Sequence, residues 1–322
     1  MQTLYPLQLK GVTKSPIWGG TRLLREWNKK ADTPTVGESW ELTLRANETS
    51  TVTNGSLCGR TLSALVKEYG AALTGKSFGM DGFPLLIKLL DANDRLSVQV
   101  HPDDDYAARI ENDRGKTEMW YIVDADEGAE IICGLADGVD TKRFADAVAN
   151  GKTLDALRHL PVRSGEVYFI PSGLPHAIGK GILIAEIQQN CDLTYRVYDY
   201  DRVDSTGNKR ELHVNKALDV IRPFTNAEID AIRYANAPNG YDPDRLLAHC
   251  PFFRVEKLCL SDEKYPLPHR GMRHLLCLDG SAKLHCDGED YPIVKGDSYL
   301  IPACLCDVAL AGSATLLLSS VD

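Results

Sequence analysis

Four residues of this chain could together hold a divalent metal: Gln99 and His101 in SVQVHPDDD, Glu118 in GKTEMWYIV, and His176 in PSGLPHAIG. Gln99 and His101 stand two residues apart, so on a strand both side chains leave the same face. Glu118 follows His101 by 17 residues, where another inward-facing strand would begin. One amide oxygen, two imidazoles and one carboxylate favour zinc or a neighbouring transition metal over magnesium, which prefers an all-oxygen shell.

Such a set needs a scaffold of short strands. The spacing Gly165-x5-Pro171-x-Gly173-x2-His176 shapes a tight turn between two strands and directs His176 inward. It resembles the second cupin motif at every fixed position. Runs such as GAEIICGL at 128–135 and GEVYFIPSG at 165–173 read as strands broken by turn residues, which favours a sandwich or barrel. Helical spacing occurs in three places: TLSALVKEYGAAL after Arg60, DDDYAARIEND after Pro102, and TKRFADAVANGKTLDALRHL from Thr141. Each has a polar or acidic start and reads as an insertion decorating a β core.

An internal repeat divides the chain. GEVYFIPSGLPH from Gly165 matches GDSYLIPACLCD from Gly296, and the preceding YIVDADEGAEIICG matches LLCLDGSAKLHCDG in the same order. The linker candidate is NAPNGYDPD at 236–244, with strand-like runs resuming at Phe252. The expected fold is therefore mainly β, with two cupin barrels (double-stranded β-helix, or jelly-roll) and a few helical insertions. Residues 1–235 form the expected catalytic unit and residues 236–322 a second, metal-free one. In the second copy Asp307 replaces His176, and the position of Glu118 falls near Gly271 and Met272. His269, His274 and His285 lie outside the motif positions.

Composition narrows the function classes. At 322 residues and 43% hydrophobic content the chain can bury a full core. A formal charge of −9 with no basic cluster argues against a nucleic-acid or anionic-membrane partner. No apolar run approaches the roughly 20 residues of a membrane span, and the N-terminal stretch lacks the basic-then-apolar layout of a signal peptide, so a cytoplasmic protein is expected. The nine cysteines form no paired CxxC and read as reduced, mostly buried thiols. Gly70-x4-Gly75-Lys76-Ser77 satisfies the P-loop pattern by letter, but a helical pattern precedes it and FGMDGFP follows, which is the wrong context for a phosphate cradle.

The segments LIKLLDANDRLSVQVHPDDDYA, GKTEMWYI, PSGLPHAIG and EIQQNCDLTYRVYDY together resemble the type I mannose-6-phosphate isomerases in their short bacterial form. The likeness spans most of residues 1–225 and extends to SPIWGG and VGESWEL, which carry Trp18, Glu38, Ser39 and Trp40. It implies one zinc ion per chain on Gln99, His101, Glu118 and His176, and a small sugar phosphate as substrate. It also implies that Arg196, Glu186 and Lys116 are active-site residues.

Aldose–ketose isomerisation by proton transfer needs a base between C1 and C2, a cation for the enediolate, and donors for the phosphate. Arg196 suits an oxyanion or phosphate, or else pairs structurally with Asp199 or Asp201. Lys116, two residues before Glu118, would share its face on a regular strand and reach substrate. Ser97, on the face of Gln99, is a further phosphate or hydroxyl contact. Glu186 is the first candidate for the base, with Lys116 and a metal-bound water open as alternatives. One departure from the long eukaryotic form is Ile178, where that form carries a tyrosine two positions after the last zinc histidine; another is the shorter helical stretch from Thr141 to Leu160. Two histidines and a carboxylate also suit an iron oxygenase, and a metal-stabilised sugar-binding cupin without turnover is a third reading. The Gln99-x-His101 pair and the Arg196 segment favour the isomerase.

Overall fold

The run LLIKLLDA, Leu85–Ala92, is buried along its whole length, as a strand covered on both faces must be. The computed structural model, which describes residues 3–45, 48–76, 78, 82–203 and 206–321, places it inside a six-stranded antiparallel sheet. The order there is Val167–Ile170, Glu118–Ala125, Ile182–Gln189, Leu85–Ala92, Glu38–Leu42 and Val12–Lys14. A five-stranded sheet completes the first barrel, in the order Leu157–Pro161, Glu130–Leu135, His176–Ile178, Val98–Val100 and Tyr195–Tyr198. The molecule is mainly β and has the expected cupin architecture.

A nine-stranded sheet builds the second barrel around the long strands Arg273–Cys286 and Val308–Ser320. The repeat is visible in the backbone: Gly165 and Gly296, which open its two copies, have φ of 89° and 88°. Both turns need the left-handed conformation that glycine adopts without steric cost. The N-terminal strand Leu7–Lys10 belongs to this second sheet, with Leu7 opposite Leu300, and it carries Thr51–Val52 on its other edge. The stretch before residue 235 thus contributes strands to the sheet of the second barrel as well as to both sheets of the first.

The helices Leu62–Tyr69, Asp104–Ile110 and Thr141–Ala149 occupy the three expected places. Thr61, Asp103 and Asp140 cap their first turns by accepting backbone N–H groups. The third is shorter than its periodicity predicts, because Leu157–Pro161 is a strand paired with Glu130–Leu135. Three further helices, the single turn Arg22–Arg25 and the longer Val214–Val220 and Asn226–Arg233, lie outside those places; Thr225 and Glu228 form a capping box at the start of the last. No helix among the described residues is long and apolar enough to cross a membrane.

The P-loop look-alike is a docking point between the barrels. Gly70 ends one helix, Ala71–Thr74 forms a single turn, and Gly75 (φ 82°) brings the chain against Gly271 and Ala303. Ala303 and Cys304 donate their N–H groups to the carbonyls of Leu73 and Ala72. Ser77 lies outside the described residues.

Candidate metal centre and active site

The antiparallel register determines which side chains meet. Across the six-stranded sheet Trp40, Lys88, Glu186 and Trp120 form one cross-strand row. On the five-stranded sheet His176 pairs with Gln99, which pairs in turn with Arg196. Glu118 begins its strand opposite Gln188, one step along from the Lys88–Glu186 pair.

His101, Glu118 and His176 converge, with ligand-type atoms within 4.8 Å of one another and all three residues buried. His176 Nε2 lies 3.2 Å from His101 Nε2 and 3.4 Å from Glu118 Oε1, and His101 Nε2 lies 3.6 Å from Glu118 Oε2. The side-chain amide of Gln99 reaches His176 Nε2 at 3.4 Å. Turning that amide over would present its oxygen to the cluster instead.

The donor chemistry fits a divalent cation. His176 Nδ1 bonds the Leu174 carbonyl at 2.8 Å, which makes Nδ1 the protonated nitrogen and leaves the Nε2 lone pair facing the cluster. Burial holds the His176 pKa down at about 4 and, with the Lys116 ammonium, that of His101 well below its usual value, so both imidazoles are neutral. Burial and the neighbouring Glu186 carboxylate push Glu118 up to about 8. Its two carboxylate oxygens, fully buried, accept no hydrogen bond among the described residues. The Lys116 ammonium lies 3.3 Å from Oε2 only, so a metal cation would supply a partner for Oε1.

Beside the cluster lies a cavity of about 320 Å³, walled by Lys88, Ser97, Gln99, Lys116, Glu186 and Arg196, with Ile178, Trp18 and Glu38 completing its sides. Lys116 precedes the strand that begins at Glu118, yet its ammonium lies 3.3 Å from Glu118 Oε2. Glu186 accepts the Trp120 indole N–H at 3.1 Å and pairs with Lys88 at 3.3 Å. Burial alone would raise Glu186, but Lys88 and Lys116 overcome it and hold the group below its ordinary value, as a carboxylate. For Lys88, burial is outweighed by Glu186, Glu38 and Asp192, so its pKa is raised and it stays an ammonium.

Arg196 donates its Nε–H to Ser97 Oγ at 3.2 Å and an Nη–H to the Glu211 carbonyl at 2.8 Å. The structural pairing with Asp199 or Asp201 is not formed. Asp199 is taken by Arg202 and Arg210, and Asp201 by Lys209. Among the described residues the Arg196 guanidinium has no carboxylate partner and keeps its charge for the cavity it lines.

Sequence reasoning did not single out Lys88, Asp192 or Arg210, all of which line the cavity. Lys88 had a signal: one lysine in a strand whose eight residues are all buried must have a charged partner. The second barrel holds no matching cluster among the described residues. There His269 bonds the Ala303 carbonyl, His274 bonds Ser298 Oγ and His285 pairs with Asp290.

Residues 7–137 match the family "Phosphomannose isomerase type I, catalytic domain", and residues 245–321 match "Mannose-6-phosphate isomerase, cupin domain". Mannose-6-phosphate isomerase ManA of Bacillus subtilis is 38% identical over 318 residues, 98% of this chain and 99% of that protein. The crystal structure of the mannose 6-phosphate isomerase from Bacillus subtilis superposes with a TM-score of 0.86 at 34% identity, covering 98% of this chain and 99% of the other. A mannose 6-phosphate isomerase bound with zinc and yttrium shares the fold, with a TM-score of 0.77 at 16% identity over 98% of this chain and 99% of its own. The chain belongs to the type I phosphomannose isomerase family.

Proposed function

We propose that this protein interconverts mannose 6-phosphate and fructose 6-phosphate, with one zinc ion per chain held by Gln99, His101, Glu118 and His176. The observation that carries the reading is a neutral His–Glu–His cluster beside a cavity lined by the buried Lys88–Glu186 pair from one sheet and by the carboxylate-free Arg196 from the other. Zinc supplies a Lewis acid for the sugar oxygens. The relative solved with zinc supports that choice of metal, as does the imidazole content of the cluster.

The chain's own residues account for the remainder. Glu186, held ionised, is in the form that accepts a proton, and Lys88 keeps it so. We assign Glu186 the transfer between C2 and C1 through an enediolate. Lys116 and Lys88 place positive charge beside the oxygens on which negative charge develops, in a site where burial strengthens the attraction. Arg196 and Ser97 bind the phosphate or a hydroxyl at the far side of the cavity. Catalysis belongs to the unit ending near residue 235, and residues 236–322 buttress it through the Leu7–Lys10 strand and the Gly75 contact. Nine free thiols accord with a reducing compartment such as the cytoplasm.

The test is to incubate the zinc-loaded protein with mannose 6-phosphate in D2O. Fructose 6-phosphate with a fraction of deuterium at C1 is expected. Product wholly free of deuterium would contradict exchangeable proton transfer, and absence of product would reject the reaction itself.

A further inference from the structure

Two arginines, Arg196 and Arg210, line the cavity beside the metal cluster, and they reach it by different routes. Arg196 stands on the strand Tyr195–Tyr198, whereas Arg210 comes from the segment that follows it. That segment reverses sharply. Tyr200 and Asp201 have φ of 56° and 55°, the left-handed region that a bulky tyrosine seldom occupies, and a bridge between Val203 and Lys209 closes the return. Such strain persists only where the surrounding structure fixes it. Its product here is the Arg210 guanidinium at the cavity, held by Asp199 eleven residues earlier.

The charges at this end of the cavity do not cancel. Asp199, 5% exposed, accepts from Arg210 Nε at 2.7 Å and Nη2, and from Arg202 Nη2 at 2.6 Å. Arg202 is further occupied by Asp94 and the Arg95 carbonyl and does not line the cavity. One buried carboxylate thus serves two guanidinium groups, and Arg196 adds a third cation that takes only a carbonyl from Glu211. Burial and the like charge of Arg210 lower the Arg196 pKa, as expected of two guanidinium groups close enough to repel. The other carboxylates lining the cavity, Glu38, Glu186 and Asp192, all face Lys88.

Both cavity arginines keep donors in reserve. Arg210 Nη1 and Arg196 Nη2 donate to nothing among the described residues. Register sets how far they stand from the metal cluster. His176, Gln99 and Arg196 pair in succession on three neighbouring strands, so the Arg196 backbone lies about 9–10 Å from that of His176. An open six-carbon sugar with its first two carbons at the metal spans such a distance with the group on its last carbon.

We propose that Arg210 is a phosphate anchor: together with Arg196 it grips the dianionic 6-phosphate of the substrate through the unused amino groups. The identity of the sugar rests on the isomerase reading given above. A sugar hydroxyl would leave both guanidinium charges unbalanced, whereas a dianion offsets both and accepts from both forks. The substrate class is therefore phosphorylated sugars rather than free aldoses.

The test uses the full, zinc-loaded chain and glucitol 6-phosphate, which carries the 6-phosphate but no carbonyl and cannot be isomerised. Calorimetry gives its affinity and that of inorganic phosphate, and steady-state assays give kcat and KM for mannose 6-phosphate. In Arg210→Ala both affinities should fall about 10- to 100-fold, as loss of charge-assisted hydrogen bonds implies. KM should rise by more than kcat falls, because the phosphate is held in the ground state as in the transition state. Arg210→Gln, which keeps a donor for Asp199 and removes the charge, gives the same readouts with less disturbance of the segment, and zinc content with near-ultraviolet circular dichroism reports that each variant is folded. Unchanged affinities in these variants would overturn the proposal. A loss for glucitol 6-phosphate without a loss for inorganic phosphate would also overturn it, since Arg210 would then hold a hydroxyl. A native chain that binds glucitol 6-phosphate through Arg210 but does not turn over mannose 6-phosphate would reject the isomerase reading and leave the phosphate site standing.

Discussion

Lys88 and Glu186 face each other directly across neighbouring antiparallel strands, Nζ 3.3 Å from Oε2, with both side chains 5% exposed. The pair fixes the charge of both groups inside the cavity. Lys88→Ala would leave Glu186 buried without its nearest cation. The variant should lose roughly 3–5 kcal/mol of folding stability in urea denaturation, the range for breaking a buried pair. Its kcat should fall at least about 100-fold, as loss of support for a general base implies. Unchanged stability would show the pair to be solvated in solution.

The same pair predicts a pH window for the stability of the folded chain. Glu186 titrates below its unfolded value, so its contribution is present above about pH 4 and lost as pH falls through its folded pKa. Lys88 titrates above its unfolded value, so its contribution is complete below about pH 10 and lost as pH rises through its folded pKa. Denaturation midpoints measured across pH should therefore lose the difference between native and Lys88→Met/Glu186→Gln at both extremes. A difference that did not diminish as pH falls below about 4, the unfolded value, would contradict the assignment.

Metal binding should release protons. At pH 7 the metal-free Glu118, with a pKa near 8, carries a proton while His101 and His176 are neutral. Zinc titration by calorimetry in buffers of different ionisation enthalpy should show about one proton released at pH 7 and markedly fewer at pH 9. No release at pH 7 would mean that Glu118 is already ionised.

Arg196→Ala should retain zinc, because the guanidinium touches Ser97 and the Glu211 carbonyl rather than the cluster. Its kcat/KM should drop about 100- to 1000-fold, the usual effect of removing one positioned oxyanion donor. Loss of zinc in this variant would place Arg196 in support of the metal site instead.

Gly75→Ala tests the contact between barrels. At φ 82° an added Cβ would lie 3.0 Å from the Gly271 Cα. A stability loss of roughly 1–2 kcal/mol follows from the left-handed backbone alone. An unchanged melting temperature would show that the contact yields without strain.

The convergence of His101, Glu118 and His176 was legible in the sequence because its signals are local. Two residues of spacing put Gln99 and His101 on one face, and the Gly165–Pro171–Gly173 turn aims His176. Lys88, Asp192 and Arg210 were not legible, since their meaning arises from register: Lys88 acquires Glu186, 98 residues later, only when their strands pair. Register also hides the N-terminal strand, whose partner Leu300 follows Leu7 by 293 residues. Leu157–Pro161 was misread because its apolar spacing continues that of the preceding helix, and pairing with Glu130–Leu135 overrides it. The helices at 214–220 and 226–233 each bury only one residue fully, Ala217 and Ile229, so their apolar stripes are faint.

The most direct measurement is turnover of mannose 6-phosphate by the purified protein before chelation, after chelation and after zinc is returned, with bound metal quantified at each stage and His176→Ala run in parallel. The account predicts one zinc per chain, activity that disappears with the chelator and returns with zinc, and a His176→Ala protein that is folded, zinc-free and inactive. Full activity in the metal-free protein, or stoichiometric zinc and turnover in His176→Ala, would contradict it.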